Sequence, residues 1–255
     1  MFTPQERSAL RERLVAEARR DPAIGGAALL GSGAGGREDP WSDIDLALCL
    51  TPEADPDAVV AEWSERLRRD HGAVDRLDVW AGSTRYRAFL LADTLQVDLS
   101  FWAPAEFRAR GPEFRLLFGT ANAPEPTAPP AAGDLVGWGW LYALHARSAL
   151  ARGRLWQAEH MVGGVRERVL ALACLRHGLP ATQGRGVDQL PAEVTEPLAA
   201  ALVRALDAGE LTRALSVACG ALLREAERVD AALAGRLAAP LAELVRSAAP
   251  PSPDR

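Results

Sequence analysis

Residues 31–50, GSGAGGREDPWSDIDLALCL, constrain this chain more than any other stretch, because a glycine-rich turn leads into an apolar run interrupted by Asp43 and Asp45. The short apolar segment 24–30 ends at Gly31 and reads as a first strand. The run after the glycines reads as a second. A strand alternates its side chains between two faces, so Asp43 and Asp45 point one way while Ile44 and Leu46 point the other. Two carboxylates on one sheet edge each disfavour the ionised form of the other unless a cation lies between them. The pair therefore points to a divalent cation.

Read literally, GSGAGG satisfies G-x-G-x-x-G at Gly31, Gly33 and Gly36. The dinucleotide-binding fingerprint also needs a helix directly after the glycines and an acidic residue about 20 positions further on. Here Glu38, Asp39 and Pro40 lead straight into the second strand, and its acids lie only seven and nine residues beyond Gly36. The context excludes that fold. A merely flexible hairpin is the remaining non-functional reading of the glycines.

Downstream, Asp55-Pro56 opens a helix carrying Val59, Val60, Trp63 and Leu67 at helical spacing, with Gly72 placed to stop it. Strands are expected over about 77–81, 86–91 and, after an Asp93-Thr94 turn, 95–101. In LQVDLSF, Leu95, Val97, Leu99 and Phe101 alternate with Gln96, Asp98 and Ser100. Asp98 thus emerges on a polar face and supplies a third carboxylate. The alternative for Asp98 is a solvated strand acid with no role.

The sequence has 255 residues, enough for one large core or two ordinary ones, with the apolar and charged content of a globular protein. A net charge of −5 without basic runs argues against gripping a nucleic-acid backbone, so nucleic acid is not the expected partner. No lysine occurs, so all 29 basic residues are arginine. Lysine nucleophiles, Schiff bases and a P-loop lysine are excluded, and any phosphate contact by a basic side chain falls to arginine. Cys49, Cys174 and Cys219 show no metal-ligand spacing and read as reduced core residues. His145, His160 and His177 share no such spacing either. The charged N-terminus lacks a signal core, and no apolar run approaches the roughly 20 residues of a membrane span. A cytoplasmic protein is expected.

Thr3-Pro4-Gln5-Glu6 has capping-box spacing with proline at the first helical position, and Leu10, Leu14 and Val15 continue a scaffold helix to about Arg20. Residues 121–133, ANAPEPTAPPAAG, read as a semi-rigid linker. Beyond it the pattern is helical. Asp134 is placed to cap a helix carrying Leu135, Trp138, Leu141 and Leu144 to near Gly153. Others are expected over about 154–177, 191–207 and 211–234, with a short one around 241–245. The predicted fold class is α+β: a small mixed sheet flanked by helices over 1–120, the linker 121–133, an antiparallel helical bundle over 134–248, and a disordered tail over 249–255.

Gly31-Ser32, ten intervening residues, Asp43-Ile44-Asp45-Leu46, and the later strand aspartate Asp98 resemble the signature of the polymerase-beta-type nucleotidyltransferase superfamily. LQVDLSFW and the helical C-terminal half are similar to its antibiotic-modifying branch, the aminoglycoside and lincosamide nucleotidyltransferases. The resemblance implies a catalytic domain followed by an acceptor-binding bundle. It also implies a Mg²⁺-dependent transferase, with a two-metal site, that moves a nucleoside monophosphate, AMP first of all, from an NTP to a hydroxyl of a small molecule with release of pyrophosphate. Asp43 and Asp45 would hold Mg²⁺. Backbone N–H groups near Gly31 and the Ser32 hydroxyl would cradle phosphates. Asp98 would complete the second metal site or activate the acceptor hydroxyl.

On the helix expected over 154–177, Trp156, Glu159, Gly163 and Arg166 share one side. Glu159 could serve as general base and Arg166 as a phosphate contact; a solvated helix face with Glu159 paired to a neighbouring arginine fits the spacing equally. Two other functions stay open: a nucleotidyltransferase that modifies a protein, as in toxin–antitoxin pairs, and a non-catalytic nucleotide-binding regulatory module. The sequence admits a homodimer without fixing the oligomeric state.

Overall fold

The computed structural model describes residues 1–248, so the expected tail over 249–255 lies outside the described residues. The chain divides into two compact units, Met1–Thr127 and the part from Ala128 onward.

In the first unit, α1 (Pro4–Arg20) starts with both halves of the capping box formed: Thr3 Oγ1 accepts from the Glu6 N–H at 3.2 Å, and the Glu6 carboxylate accepts from the Thr3 N–H at 2.8 Å. Six strands follow, β1 (Ile24–Leu30), β2 (Ile44–Leu50), β3 (Ala73–Ala81), β4 (Thr84–Leu91), β5 (Gln96–Trp102) and β6 (Phe114–Phe118). They form one mixed sheet in the order β3-β4-β5-β2-β1-β6, in which β2 and β5 run parallel and the other neighbours antiparallel. β3 starts four residues before the expected 77, and β6 was not expected from its pattern. Five residues, FRLLF, carry too little alternation to announce a strand; pairing with β1 decides it.

Two helices, α1 and α3 (Pro56–Asp70), bury their apolar stripes on one face of this sheet. Leu14, Val60, Trp63 and Leu67 meet Leu46, Leu48, Val97 and Leu99 there. The opposite face holds a smaller cluster of Ala28, Ala47, Cys49, Trp102 and Phe107. That cluster corrects the expected polar face of β5. Ser100 and Trp102 are buried, with Trp102 Nε1 donating to Ser100 Oγ at 2.8 Å, so the face is polar only toward Gln96 and Asp98.

The expected linker is divided. Asn122, Glu125 and Thr127 donate backbone N–H bonds to Phe107, Ala109 and Arg110, which ties 121–127 into the first unit. In the second unit, α4 (Ala132–Ala151) already begins inside the expected linker. Its N-cap is Ala131, so Asp134 lies within the first turn and supplies charge to the helix dipole instead of a cap. Trp138, expected on the packed stripe, is exposed.

The remaining helices are α5 (Leu155–Arg176), α6 (Ala192–Ala199), α7 (Ala208–Val229) and α8 (Ala231–Ala248). The helix expected over 191–207 shortens to α6, and Asp207 caps α7 by accepting from the Glu210 N–H at 2.8 Å. The helices expected over 211–234 and 241–245 are redivided at Asp230, whose backbone is extended and whose carboxylate accepts from the Ala232 and Leu233 N–H groups. Good helix formers on both sides hide that break from any periodicity argument. Helices α4, α5, α7 and α8 enclose one core that includes Val136, Val162, Leu215 and Leu222.

All three cysteines are free and buried, as expected. Among the described residues, no helix is long and apolar enough to cross a membrane.

Candidate metal and phosphate site

The site is assembled where β1 ends and β2 and β5 begin. Because β2 and β5 are parallel and adjacent, Asp45 and Asp98 become direct register partners, and Asp43 immediately precedes β2. The three carboxylates each offer an oxygen, and these atoms all lie within 4.8 Å of one another. All three residues are half-buried. The structure therefore brings together the three acids that the sequence singled out, from strands more than 50 residues apart.

Burial pushes the Asp98 carboxyl above the ordinary aspartate range, and the nearby Asp43 charge adds to the rise. The Gln96 side-chain amide opposes it by donating to both Asp98 oxygens at 3.0 Å. A half-buried cluster of three acids suits a hard divalent cation, which takes oxygen ligands and offsets their mutual repulsion.

Gly31 touches this cluster directly. It opens a single helical turn, α2 (Gly31–Gly35), at φ +55°, and a Cβ there would overlap the Asp45 carboxylate. Glycine is thus required twice, for the backbone angle and for the approach. One helical turn, α2, thus stands where a plain glycine turn was expected. It ends at once, at Gly36 in the left-handed region, whose N–H bonds the Ser32 carbonyl. Ser32, in the turn beside Gly31, is half-buried.

Arginines of α1 and β6 hold the stretch from Gly33 to Asp43. Arg7 of α1 is buried and donates from Nη1 to the Asp39 carbonyl at 2.6 Å and the Ser42 carbonyl at 3.1 Å. Arg11 donates to Glu38 at 2.5 Å, and Arg115 of β6 donates to the Gly33 carbonyl at 3.1 Å. A signal for Arg7 existed. It occupies the first position of the stripe Arg7, Leu10, Leu14, Ala18, a charge where the spacing calls for an apolar group.

Glu159 and Arg166 lie on α5 of the second unit. Glu159 is half-buried, and the Arg166 guanidinium donates to the Ala201 carbonyl at 3.2 Å, a bond that ties α5 to the turn after α6.

No family model matches this sequence, and no curated protein does. Among solved structures, an aminoglycoside 6-adenyltransferase from Bacillus subtilis is similar at 13% identity and a TM-score of 0.39, over 96% of this chain and 99% of that one. A nucleotidyltransferase-like protein from Exiguobacterium sibiricum is similar at 11% identity and a TM-score of 0.33, over 85% and 76%. The CD-NTase CdnG of Bradyrhizobium diazoefficiens, solved in complex with GTP, is similar at 13% identity and a TM-score of 0.28, over 88% and 73%.

Proposed function

We propose that this chain is a nucleotidyltransferase that moves a nucleoside monophosphate, AMP in the first instance, from an NTP to a hydroxyl of a small molecule, with release of pyrophosphate. One observation carries the reading: three carboxylates on adjacent parallel strands converge beside a glycine backbone that nothing larger could replace. Nucleotidyl transfer needs that pairing, a charge-neutralising centre next to a surface that phosphate can approach closely.

Asp43, Asp45 and Asp98 fit Mg²⁺ by donor type, since all are hard oxygen donors. When bound, the metal would supply charge neutralisation for the triphosphate and the leaving pyrophosphate. The protein's own groups do the rest. Asp45 and Asp98 set the position of the transferred group relative to the sheet, because both are pinned in the strand ladder. Asp98 would either complete the metal site or take the proton of the attacking hydroxyl. The Gly31 and Ser32 N–H groups and the Ser32 hydroxyl hold phosphate oxygens. Glu159 as the general base and Arg166 as a phosphate contact rest on their shared side of α5 alone.

An acceptor resembling an aminoglycoside or lincosamide follows the same resemblance. The test is pyrophosphate release by the purified protein with each NTP, Mg²⁺ and a panel of hydroxylated antibiotics. Turnover with at least one acceptor, abolished in Asp45→Asn, is expected. Full activity of Asp45→Asn overturns the mechanism, and unchanged turnover in Glu159→Gln removes Glu159 from it.

A further inference from the structure

Strand β3 is the outermost strand of the sheet, and its outer edge has no strand partner among the described residues. A bare edge is normally protected by shortness, a proline, a bulge at its middle or charges that repel a second strand. β3 lacks the first three over its main part, and its charges Asp75, Arg76 and Asp78 repel a second copy only in some registers. It is nine residues long, contains no proline, and its register irregularity lies at its start, between Ala73 and Asp75. Its large apolar side chains are all out in solvent: Val74 at 62% exposure, Leu77 at 65%, Val79 at 53% and Trp80 at 56%.

The charges on β3 are arranged so that the strand complements itself. An antiparallel pairing of two identical strands about a two-fold axis must be centred on one residue, so that opposed side chains share a face. Centring on Arg76 sets arginine against arginine, and centring on Asp75 or Asp78 sets aspartate against aspartate. Centring on Leu77 avoids all three and pairs Asp75 to Val79, the part beyond the irregularity at the strand's start. Arg76 then lies opposite Asp78 of the second copy, twice by symmetry, Asp75 lies opposite Val79, and the two Leu77 side chains meet. Opposite charges directly across a pair are a stabilising cross-strand combination.

Asp78 is suited to this role. Its carboxylate is held in place by Arg87, which donates to both its oxygens at 2.5 and 2.6 Å, and that pairing keeps its carboxyl below the usual aspartate range. Arg87 is itself buried and also donates to Ser64 Oγ on α3. Asp78 thus stands at the edge as an anion shared with Arg87, and Arg76, whose charge also bears on it, has no close ion pair of its own among the described residues.

We propose that β3 is a homodimer interface, in which two copies of this chain pair antiparallel about Leu77 and continue the six-stranded sheet into one of twelve strands. The inference is independent of the transferase reading, since none of its residues belongs to the three-aspartate site.

Sedimentation velocity of the full chain over a concentration series tests it. A reversible monomer–dimer equilibrium is expected in the wild type. Leu77→Lys, which sets two ammonium groups opposite each other, and Arg76→Asp, which replaces each attractive pair by a repulsive one, should each weaken it about tenfold or more. Leu116→Lys, at an exposed site on the opposite edge strand, should leave it unchanged. Unaltered thermal melts show that each variant folds. A wild type that stays monomeric at submillimolar concentration overturns the proposal, and so does a dimer that survives both β3 substitutions.

Discussion

Asp45 and Asp98 sit directly opposite each other as register partners in the β2–β5 parallel ladder, with Asp43 one step outside it. Neighbouring strands in a sheet lie under about 5 Å apart, so this register alone forces two carboxylates within a metal ion's reach. The arrangement has a stability consequence as well as a chemical one.

The Asp98 carboxyl is raised in the folded chain, first by burial, with the Gln96 bond opposing and the Asp43 charge adding. A raised acid contributes stability below its unfolded value, and that contribution is lost as pH rises through the folded value. Without metal, Asp98→Asn should therefore melt higher than wild type at pH 7 and at about the same temperature once pH falls below about 4. Calorimetry at the two pH values checks this. The same variant should lose about two orders of magnitude or more in turnover, because stabilisation by such a centre amounts to several kcal/mol.

Adding Mg²⁺ to the metal-free wild type should raise its melting temperature, since a ligand bound only by the native state stabilises it by mass action. Asp45→Asn should lose most of that rise. An equal rise in both proteins would remove Asp45 from the metal site.

Gly31 and Gly36 separate two costs. Both have positive φ, but only at Gly31 would a Cβ strike the Asp45 carboxylate; at Gly36 it meets open space. Gly36→Ala should cost about 1 kcal/mol in urea unfolding, the backbone penalty alone. Gly31→Ala should cost more and also abolish turnover, since the carboxylate has to move.

Arg7→Met should free the loop that leads into Asp43, because two carbonyls lose a buried donor. A loss of about 2–3 kcal/mol is expected in denaturant unfolding, from charged hydrogen bonds removed and carbonyls left unpaired. Turnover should fall with it although Arg7 touches no reacting group. Unchanged kinetics in a destabilised variant would confine Arg7 to scaffold.

Arg213 and the Arg204 N–H pull the Glu210 carboxyl down to about 2. A depressed acid contributes stability above its unfolded value, near 4.5, and loses it as pH falls toward the folded value. Glu210→Gln should therefore melt lower than wild type at pH 7, with the gap closing as pH approaches 2. A gap that persists in acid would assign the effect to packing.

Thiol titration offers a simple check on the cores of both units. Burial pushes Cys219 up to about 12, and Cys49 and Cys174 also rise. None should react with an alkylating reagent at pH 8 in the native state, and all three should react in denaturant.

Local chemistry wrote several of the first unit's elements plainly into the sequence. Thr3 and Glu6 mark a helix start, the run 24–30 matches β1 to the residue, and Asp55-Pro56 opens α3 where expected. Asp43, Asp45 and Asp98 were legible as acids interrupting apolar strands, and Gly31 as a glycine before them. Those signals act within a few residues, so one sequence suffices to read them.

What tertiary structure decided lies beyond that range. Which strands are neighbours turned three separate acids into one cluster, and pairing with β1 made a strand of Phe114–Phe118. Burial of Ser100 and Trp102 against Phe107 closed a face that alternation alone had read as polar. Arg7 looked like a flaw in an apolar stripe until the loop carbonyls it satisfies came into reach. Asp230 divided a continuous helical pattern by turning its backbone out. In each case the deciding partner is distant in the chain or the deciding event is a single residue's backbone angle, and neither leaves a period in the sequence.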